Sequence, residues 1–233
     1  MLRAFLDTTV VRNSQQVRTE WYENPKSVTW GDREFTVPLI ESRERIPSEK
    51  FKRDGNLKAF RDAKRIRYIE KLASLGLIRL VCDFELHWEF ISRWKMNKGI
   101  PSIVKYLEKV HSPIVYGRTV VSAFSREDHQ FEFLKNLKHP RYDEWKKAAN
   151  VVASSKKEKN QLLDAFSLWT AEHNWCDYFV TMDYELIEFV KASSIKTNLN
   201  LVRHTQIVIG ALPMIPAAVC ERAGNWLSRK LIG

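Results

Sequence analysis

The sequence predicts an α/β fold, a three-layer α/β/α sandwich with a central parallel sheet. Short apolar and β-branched runs with the composition of buried strands recur along the chain. Segments with helical spacing separate these runs, and acidic residues follow several of them. Alternating strands and helices build a parallel sheet with helices on both faces. We therefore expect the 233 residues to form a single domain, 1–233, with a substantial core.

Composition favours a globular protein with a polyanionic partner. Apolar residues make up 44% of the chain, and 38 Lys and Arg against 28 Asp and Glu give a net charge of +10. Such a charge favours nucleic acid as the partner, although a generally basic protein has the same composition. Three distant cysteines without a CxxC pair indicate a reduced, intracellular protein. The N-terminus does not resemble a signal peptide, and the longest apolar run, 207–220, is too short for a membrane span, so we expect a cytoplasmic protein without a membrane partner.

The first candidate site residue follows the first predicted strand. The segment Arg3–Val11 is apolar and β-branched, and it contains Asp7 followed by Thr8. A carboxylate next to a buried strand is costly to desolvate unless it is paired or binds a cation. Asp7 is therefore the strongest single candidate for a functional acid.

A β-hairpin and a basic segment follow, which we interpret as an insertion at about 20–60. Ser27–Leu39 alternates apolar and polar residues around Gly31-Asp32, as hairpins do. Arg43–Lys71 carries eleven Lys and Arg against five Asp and Glu, and its second part, Leu57–Leu75, has the spacing of an amphipathic helix. This helix presents either a phosphate-binding face or a solvated basic surface. Its candidate nucleic-acid contacts are Lys58, Arg61, Lys64 and Arg65.

The middle of the chain supplies a candidate glutamate and additional helices. Leu77–Cys82 predicts a strand, and the next segment predicts a helix with Asp83 as its N-cap. Glu85 and Glu89 share one face of that helix, and Glu89 is the preferred site residue. Further helices are expected in an extra segment at 100–155, at Ile100–Val110 and on both sides of Pro140. The polar stretch after them offers Lys156 and Lys157 as backbone contacts or as an ordinary solvated loop.

The most informative stretch is Gln161–Phe189. It predicts a helix carrying Asp164, a turn, a buried strand at Tyr178–Thr181, and Asp183 where that strand meets the next helix. Asp177 opens the strand. Either Asp164 or Asp183 alone is explained by capping and the helix dipole. Several carboxylates at the carboxyl edge of one sheet instead suit Mg²⁺ or Mn²⁺.

Three blocks of the chain resemble the PIN-domain nuclease family. They are FLDTTVV, LVCDFELHWEF and LLDAFSLWTAEHNWCDYFVTMDYEL, about a quarter of the sequence. The resemblance implies a PIN-like fold and a metal-dependent phosphodiesterase, usually a ribonuclease, with Mg²⁺ or Mn²⁺ as cofactor. By position it implies catalytic Asp7, Glu89, Asp164 and Asp183, metal binding by Asp7, Asp164, Asp183 and Asp177, and supporting hydroxyls on Thr8 and Thr181. Relatives of this kind also act as toxins held by an inhibitory protein, and many form homodimers.

Other function classes remain open or are disfavoured by the sequence. The chain contains no GxGxxG, Walker, GxSxG or zinc-spaced motif. Besides an RNA nuclease, the residues are compatible with a non-catalytic nucleic-acid-binding module of the same fold or a DNA nuclease of the flap type. An acid-rich phosphatase is disfavoured because Thr9 occupies the position two residues after Asp7, where a second aspartate is expected.

Overall fold

The computed structural model describes residues 1–14, 18–46, 48–83, 101–114 and 126–203. Its strands in chain order are β1 (Leu2–Leu6), β2 (Arg18–Trp30), β3 (Arg33–Arg45), β4 (Ile78–Asp83), β5 (Leu107–Val110), β6 (Tyr178–Val180) and β7 (Asn200–Val202). Its α-helices are α1 (Thr8–Ser14), α2 (Glu49–Arg53), α3 (Leu57–Arg65), α4 (Arg67–Ser74), α5 (Arg126–Asn136), α6 (Pro140–Ala148), α7 (Glu158–His173) and α8 (Tyr184–Ala192), and a 3-10 helix spans Ser102–Tyr106.

The main sheet has five parallel strands in the order β5-β4-β1-β6-β7. The central strand β1 is fully buried at Ala4, Phe5 and Leu6, and the Phe5 ring stacks on Phe179 of β6 with centroids 5.4 Å apart. These apolar and aromatic residues fit a pleated strand that is covered on both faces. The predicted α/β fold with a central parallel sheet is therefore confirmed.

Helices flank the sheet on both sides. Helices α1, α3 and α4 pack with the 3-10 helix in the connections among β1, β4 and β5, whereas α5 and α6 pack on α7, which precedes β6. The aromatic core of the second layer contains Tyr142 of α6 and Phe166 and Trp169 of α7. Pro140 occupies the first turn of α6, as its position in the sequence predicted. This arrangement is the expected three-layer sandwich.

A separate antiparallel ribbon is formed by β2 and β3, which pair over thirteen residues each. Gly31 has φ +64° in the two-residue turn, as the first position of a type II′ turn requires. The predicted hairpin is confirmed and is longer than Ser27–Leu39. Residues 18–45 carry five Lys and Arg and six Asp and Glu, so the ribbon is nearly neutral. The basic character expected for 20–60 instead begins after the ribbon.

Several predicted boundaries are wrong. β1 ends at Leu6, and α1 starts immediately because the carbonyl of Asp7 accepts hydrogen bonds from the backbone N–H groups of Val10 and Val11. The β-branched run after Asp7 had suggested a longer strand. The helix expected at Ile100–Val110 is a 3-10 turn followed by edge strand β5, which pairs with β4. Tertiary pairing overrides local propensity there.

The basic helix is divided into α3 and α4 at Ile66, and Gly76 ends α4 with φ +70° as predicted. The strand expected at Leu77–Cys82 extends to Asp83, which is therefore the last residue of β4. Within the described ranges, no helix has both the length and the apolar character needed to cross a bilayer. The strand predicted near the end, Leu199–Val202, is present as β7.

Candidate functional site

The carboxyl ends of the central strands bring Asp7, Asp83 and Thr181 into one row. Phe5 pairs with Val81 of β4, and Leu6 pairs with Val180 of β6. Continuing this parallel register places Asp7 between Asp83 on one side and Thr181 on the other. Since side chains at the same register point to the same face of a sheet, the three polar groups are neighbours.

The Asp7 carboxylate is buried and held by hydroxyl groups. Its side chain lies at the end of β1 with 8% of the residue exposed, and its Oδ2 atom accepts hydrogen bonds from Thr181 Oγ1 at 2.7 Å and Thr9 Oγ1 at 2.5 Å. The backbone N–H of Asp7 donates to the carbonyl of Val180. Two hydroxyl donors on one oxygen fix the orientation of the carboxylate.

Asp83 is the site residue that sequence reasoning missed. It was expected to cap a helix, which lies outside the described residues; the structure shows that it ends β4 and is completely buried, directly beside the position of Asp7. A fully buried aspartate is rare, and its carboxylate is costly to desolvate unless it is paired, protonated or bound to a cation. The pattern that could have identified it is the same in both strands, an apolar run followed directly by Asp, as in AFLD and LVCD.

Thr181 connects Asp7 to Asp183. The Thr181 hydroxyl donates to Asp7 and accepts the backbone N–H of Asp183 at 2.9 Å. The Asp183 carboxylate itself accepts the backbone N–H of Leu186 at 3.0 Å and thus caps α8. The capping interpretation of Asp183 is therefore correct, and its position at the edge of the sheet is also as predicted.

A hydroxyl that supports Asp7 from α1 comes from Thr9, which donates to Asp7 Oδ2 and whose Oγ1 also accepts the N–H of Met182 at 3.4 Å. Thr8, expected in this role, begins α1 and is partly exposed, and its support of the site stays a prediction. Thr9 was noted in the sequence only as the residue that disfavours a phosphatase. A threonine two residues after the acid reaches back to the carboxylate because the helix begins at once.

Asp164 lies on α7 at the level of the carboxyl end of the sheet, where Asp7 and Thr181 lie. Asp164 lies ten residues before Asn174, where α7 ends, which is about 15 Å along the helix axis. The chain then turns back into β6, and Thr181 lies four residues, or about 13 Å, beyond Asp177. The two lengths are nearly equal. Asp164 is partly buried, whereas the nearby residues Leu162 and Ala165 of the same helix are buried in the core. The helix therefore carries this acid to the end of the sheet where Asp7 lies.

Asp177 lies at the opposite edge of the sheet. Its Oδ2 atom accepts the backbone N–H of Arg3 at 2.7 Å, and its own N–H donates to the Arg3 carbonyl. Arg3 precedes Asp7 by four residues of extended chain, which is about 13 Å. The structure thus does not bring Asp177 together with Asp7 and Asp183, and it gives no support to the metal-binding role predicted for Asp177. It closes the start of β6 onto β1 instead.

A buried acid, Asp62, lies beside the same edge and was not predicted. It is 4% exposed on α3, accepts the Tyr184 hydroxyl at 2.6 Å, and lies 3.8 Å from Arg203 at the end of β7. Burial and this hydrogen bond raise the pKa of Tyr184 above its usual value. Because Tyr184 follows Asp183, the contact joins α3 to the first turn of α8.

Two of the predicted basic residues contact that turn. Lys58 of α3 places its Nζ atom 4.2 Å from the centre of the Tyr184 ring, and Lys157 lies 3.3 Å from Glu185. Both lysines are exposed, as are Arg61, Lys64 and Lys156, while Arg65 is partly buried. The stretch before α7, expected as a link, ends where α7 begins at Glu158. Cations from two distant segments therefore contact the two residues that follow Asp183.

The donor set at this edge suits a hard divalent cation. Carboxylate and hydroxyl oxygens are the ligands that Mg²⁺ and Mn²⁺ prefer, and two buried carboxylates on adjacent strands repel each other unless a cation or proton is shared. No three acidic, histidine or cysteine side chains converge as a ready metal-binding group in the part of the chain that the structure describes. Glu85 and Glu89 lie outside the described residues. Among the described residues, Asp7 and Asp83 are the ones that would contribute to such a site.

No protein-family model matches the chain, and no curated protein is significantly similar to it.

Proposed function

We propose that the protein is a metal-dependent nuclease that hydrolyses phosphodiester bonds, with RNA as the favoured substrate. One observation carries this proposal: two buried aspartates, Asp7 and Asp83, end adjacent parallel strands, and Thr181 holds one of them in place. Open α/β sheets bind ligands at this edge. The proposal agrees with the resemblance of three sequence blocks to PIN-domain nucleases.

The residues at this edge would divide into those that hold the cation and those that orient the Asp7 carboxylate. Asp7 and Asp83 would hold the Mg²⁺ or Mn²⁺, Asp164 and Asp183 approach from α7 and from the start of α8, and Thr9 and Thr181 keep the Asp7 carboxylate oriented. When bound, the cation supplies charge neutralisation at the phosphate and lowers the pKa of a coordinated water. A carboxylate that does not hold the cation, on Asp164 or Asp183, would accept the proton that the attacking water releases.

The basic residues give the site its preference for a polyanion. Lys58 contacts Tyr184 and Lys157 contacts Glu185, the two residues after Asp183, and other exposed cations lie along α3 and ahead of α7. Their potential draws the phosphate backbone towards an acidic edge that would otherwise repel it. Lys58 lies against Tyr184, and an aromatic ring there offers a surface on which an unpaired base stacks.

A non-catalytic nucleic-acid-binding module of the same fold is the second candidate. The use of Asp183 as a helix cap favours it, because a carboxylate oxygen that accepts the Leu186 N–H is less available to a metal. Such a module retains the basic groups and binds RNA in a salt-sensitive manner without cleaving it.

Incubation with labelled RNA and DNA tests the proposal. We expect wild-type protein to cleave single-stranded RNA with Mg²⁺ or Mn²⁺ and to lose this activity in EDTA and in Asp7→Asn and Asp83→Asn. Asp177→Asn is the matched control, because this carboxylate lies at the other edge of the sheet. Cleavage of DNA alone would retain the site and change the substrate, whereas binding without cleavage of either would establish the second candidate.

A further inference from the structure

An arginine, Arg203, continues the row of polar residues at the carboxyl edge of the sheet. The register of β6 with β7 puts Val180 opposite Val202, and the backbone N–H of Thr181 donates to the Val202 carbonyl at 3.3 Å. One residue further along, Arg203 therefore lies beside Thr181, just as Thr181 lies beside Asp7. The row across four parallel strands consists of Asp83, Asp7, Thr181 and Arg203.

A buried acid holds this arginine at the edge. Asp62 of α3 is 4% exposed, and its Oδ2 atom lies 3.8 Å from Nη1 of Arg203. The same oxygen accepts the Tyr184 hydroxyl at 2.6 Å, so the carboxylate is also tied to the first turn of α8. Because the carboxylate is itself fixed in place, its attraction keeps the guanidinium at the end of β7, next to the acidic edge.

The pair of Asp62 and Arg203 contributes little to the stability of the fold. The distance between Nη1 and Oδ2 exceeds the length of a hydrogen bond, and 36% of the Arg203 side chain is exposed to solvent. Ion pairs that reach solvent are screened, and most of them stabilise a fold only slightly. The main effect of the pair is therefore on position, since it keeps a solvent-accessible cation at this edge of the sheet.

A bound polyanion requires cations at this edge. When ionised, the four candidate acids there carry more negative charge than one divalent cation neutralises, and the excess repels a phosphate backbone. Arg203 supplies a positive charge within the row itself. Lys58 of α3 supplies another nearby, because its Nζ atom lies 4.2 Å from the centre of the Tyr184 ring, whose hydroxyl contacts Asp62. The cations thus lie where a strand of nucleic acid would pass.

We propose that Arg203 binds a phosphate of the nucleic-acid strand held at the acidic edge. A guanidinium is planar, stays protonated and carries five N–H donors in a fixed fork, so it can remain beside Asp62 and still bind phosphate oxygens. Two strand spacings, about 10 Å in all, separate Arg203 from Asp7. Arg203 therefore contacts a phosphate beside the scissile one and acts on substrate affinity. This inference rests on the proposed function, because its ligand is the nucleic acid of that site.

Fluorescence anisotropy with labelled single-stranded RNA and DNA of one sequence tests the proposal. Binding is measured in EDTA and in an Asp7→Asn background, which is expected not to cleave and which carries one negative charge fewer at the edge. The salt concentration is varied from about 50 to 200 mM, because the salt dependence of the affinity counts the phosphates that are contacted. Arg203→Gln should weaken the binding of both strands about tenfold. It should also reduce the slope against log salt by about 0.7, as for one lost contact.

Arg79→Gln is the matched control. Arg79 also lies beside an acid, 3.5 Å from Glu108, with 51% of its side chain exposed, but it is four residues before Asp83 and so far from the carboxyl edge. It should keep the affinity and the salt slope of the background protein. Arg203→Lys retains the charge without the fork, so it should recover the slope and only part of the affinity. Circular dichroism verifies that each variant is folded.

The possible outcomes separate this proposal from the nuclease function. Binding that Arg203→Gln weakens, in a protein whose wild type cleaves neither strand, would support the phosphate contact and refute the nuclease. Cleavage by the wild type, together with equal affinity and salt slope in Arg203→Gln and Arg79→Gln, would overturn the phosphate contact and leave the nuclease intact. A background protein that binds neither strand would also overturn it, because the edge would then hold no nucleic acid.

Discussion

Replacing Thr181 by valine isolates the hydroxyl that organises the acidic edge. The substitution preserves shape at a fully buried position and removes two hydrogen bonds, the one donated to Asp7 Oδ2 at 2.7 Å and the one accepted from the Asp183 N–H at 2.9 Å. A hydrogen bond to a charged group contributes about 1.5–3 kcal/mol, and an N–H left without its acceptor adds about 1 kcal/mol. We therefore expect a loss of about 2–4 kcal/mol in the free energy of unfolding.

Thermal and urea unfolding, followed by circular dichroism, measure this loss. For a chain of this size each kcal/mol lowers the melting temperature by about 2–4 °C, so a decrease of roughly 5–15 °C is expected. Thr170→Val is the matched control, because Thr170 is equally buried but its hydroxyl only donates to the Phe166 carbonyl within α7. If Thr181→Val costs no more than Thr170→Val, the hydroxyl does not hold the Asp7 carboxylate as described.

The remaining predictions concern other parts of the molecule. Tyr184→Phe should lower the free energy of unfolding by about 1–3 kcal/mol in urea titrations, because it leaves buried Asp62 without the 2.6 Å hydrogen bond, and a change below the error of the titration would contradict this. Desolvation raises the pKa of Glu172, but hydrogen bonds from Arg141, Trp145 and Thr197 outweigh it and the pKa is lowered from 4.5. Glu172 therefore stabilises the fold above about pH 4.5 and loses this contribution as the pH falls through its folded pKa, so the stability difference between wild type and Glu172→Gln should be largest near neutral pH and should shrink in acid. Burial raises the pKa of Cys82 to about 12 and that of Cys176 to about 11, so native Cys220→Ser should react with a thiol reagent at pH 8 only after unfolding, and rapid reaction in the native state would contradict the burial of these thiols.

Hydrophobic pattern was sufficient to predict the architecture. The runs that became β1, β4, β6 and β7 are short and mostly apolar, and most of their side chains are buried. Prediction was weaker where tertiary pairing decided the structure, as at Leu107–Val110, which is an edge strand because β4 lies beside it. The sequence LEKV alternates too briefly to reveal that pairing.

Part of the candidate site could be predicted from the sequence, and the rest depended on how the strands pair in the sheet. Asp7 follows β1 directly and Asp183 comes three residues after the end of β6, so their place at the carboxyl edge was recognisable. Asp83 was assigned to the next helix because a cap and a strand end look alike in sequence, and only the pairing of β4 with β1 distinguishes them. Asp177 was misplaced by the opposite error, since four residues of strand carry it to the other edge.

Binding of Mn²⁺, measured by calorimetry, tests the central claim most directly, because it requires no knowledge of the substrate. The account predicts that the wild type binds Mn²⁺ and that Asp7→Asn and Asp83→Asn each weaken binding by at least about tenfold. Asp177→Asn, at the opposite edge, should bind like the wild type. Equal affinity in Asp7→Asn, Asp83→Asn and the wild type would contradict the claim that the two buried aspartates form a cation site.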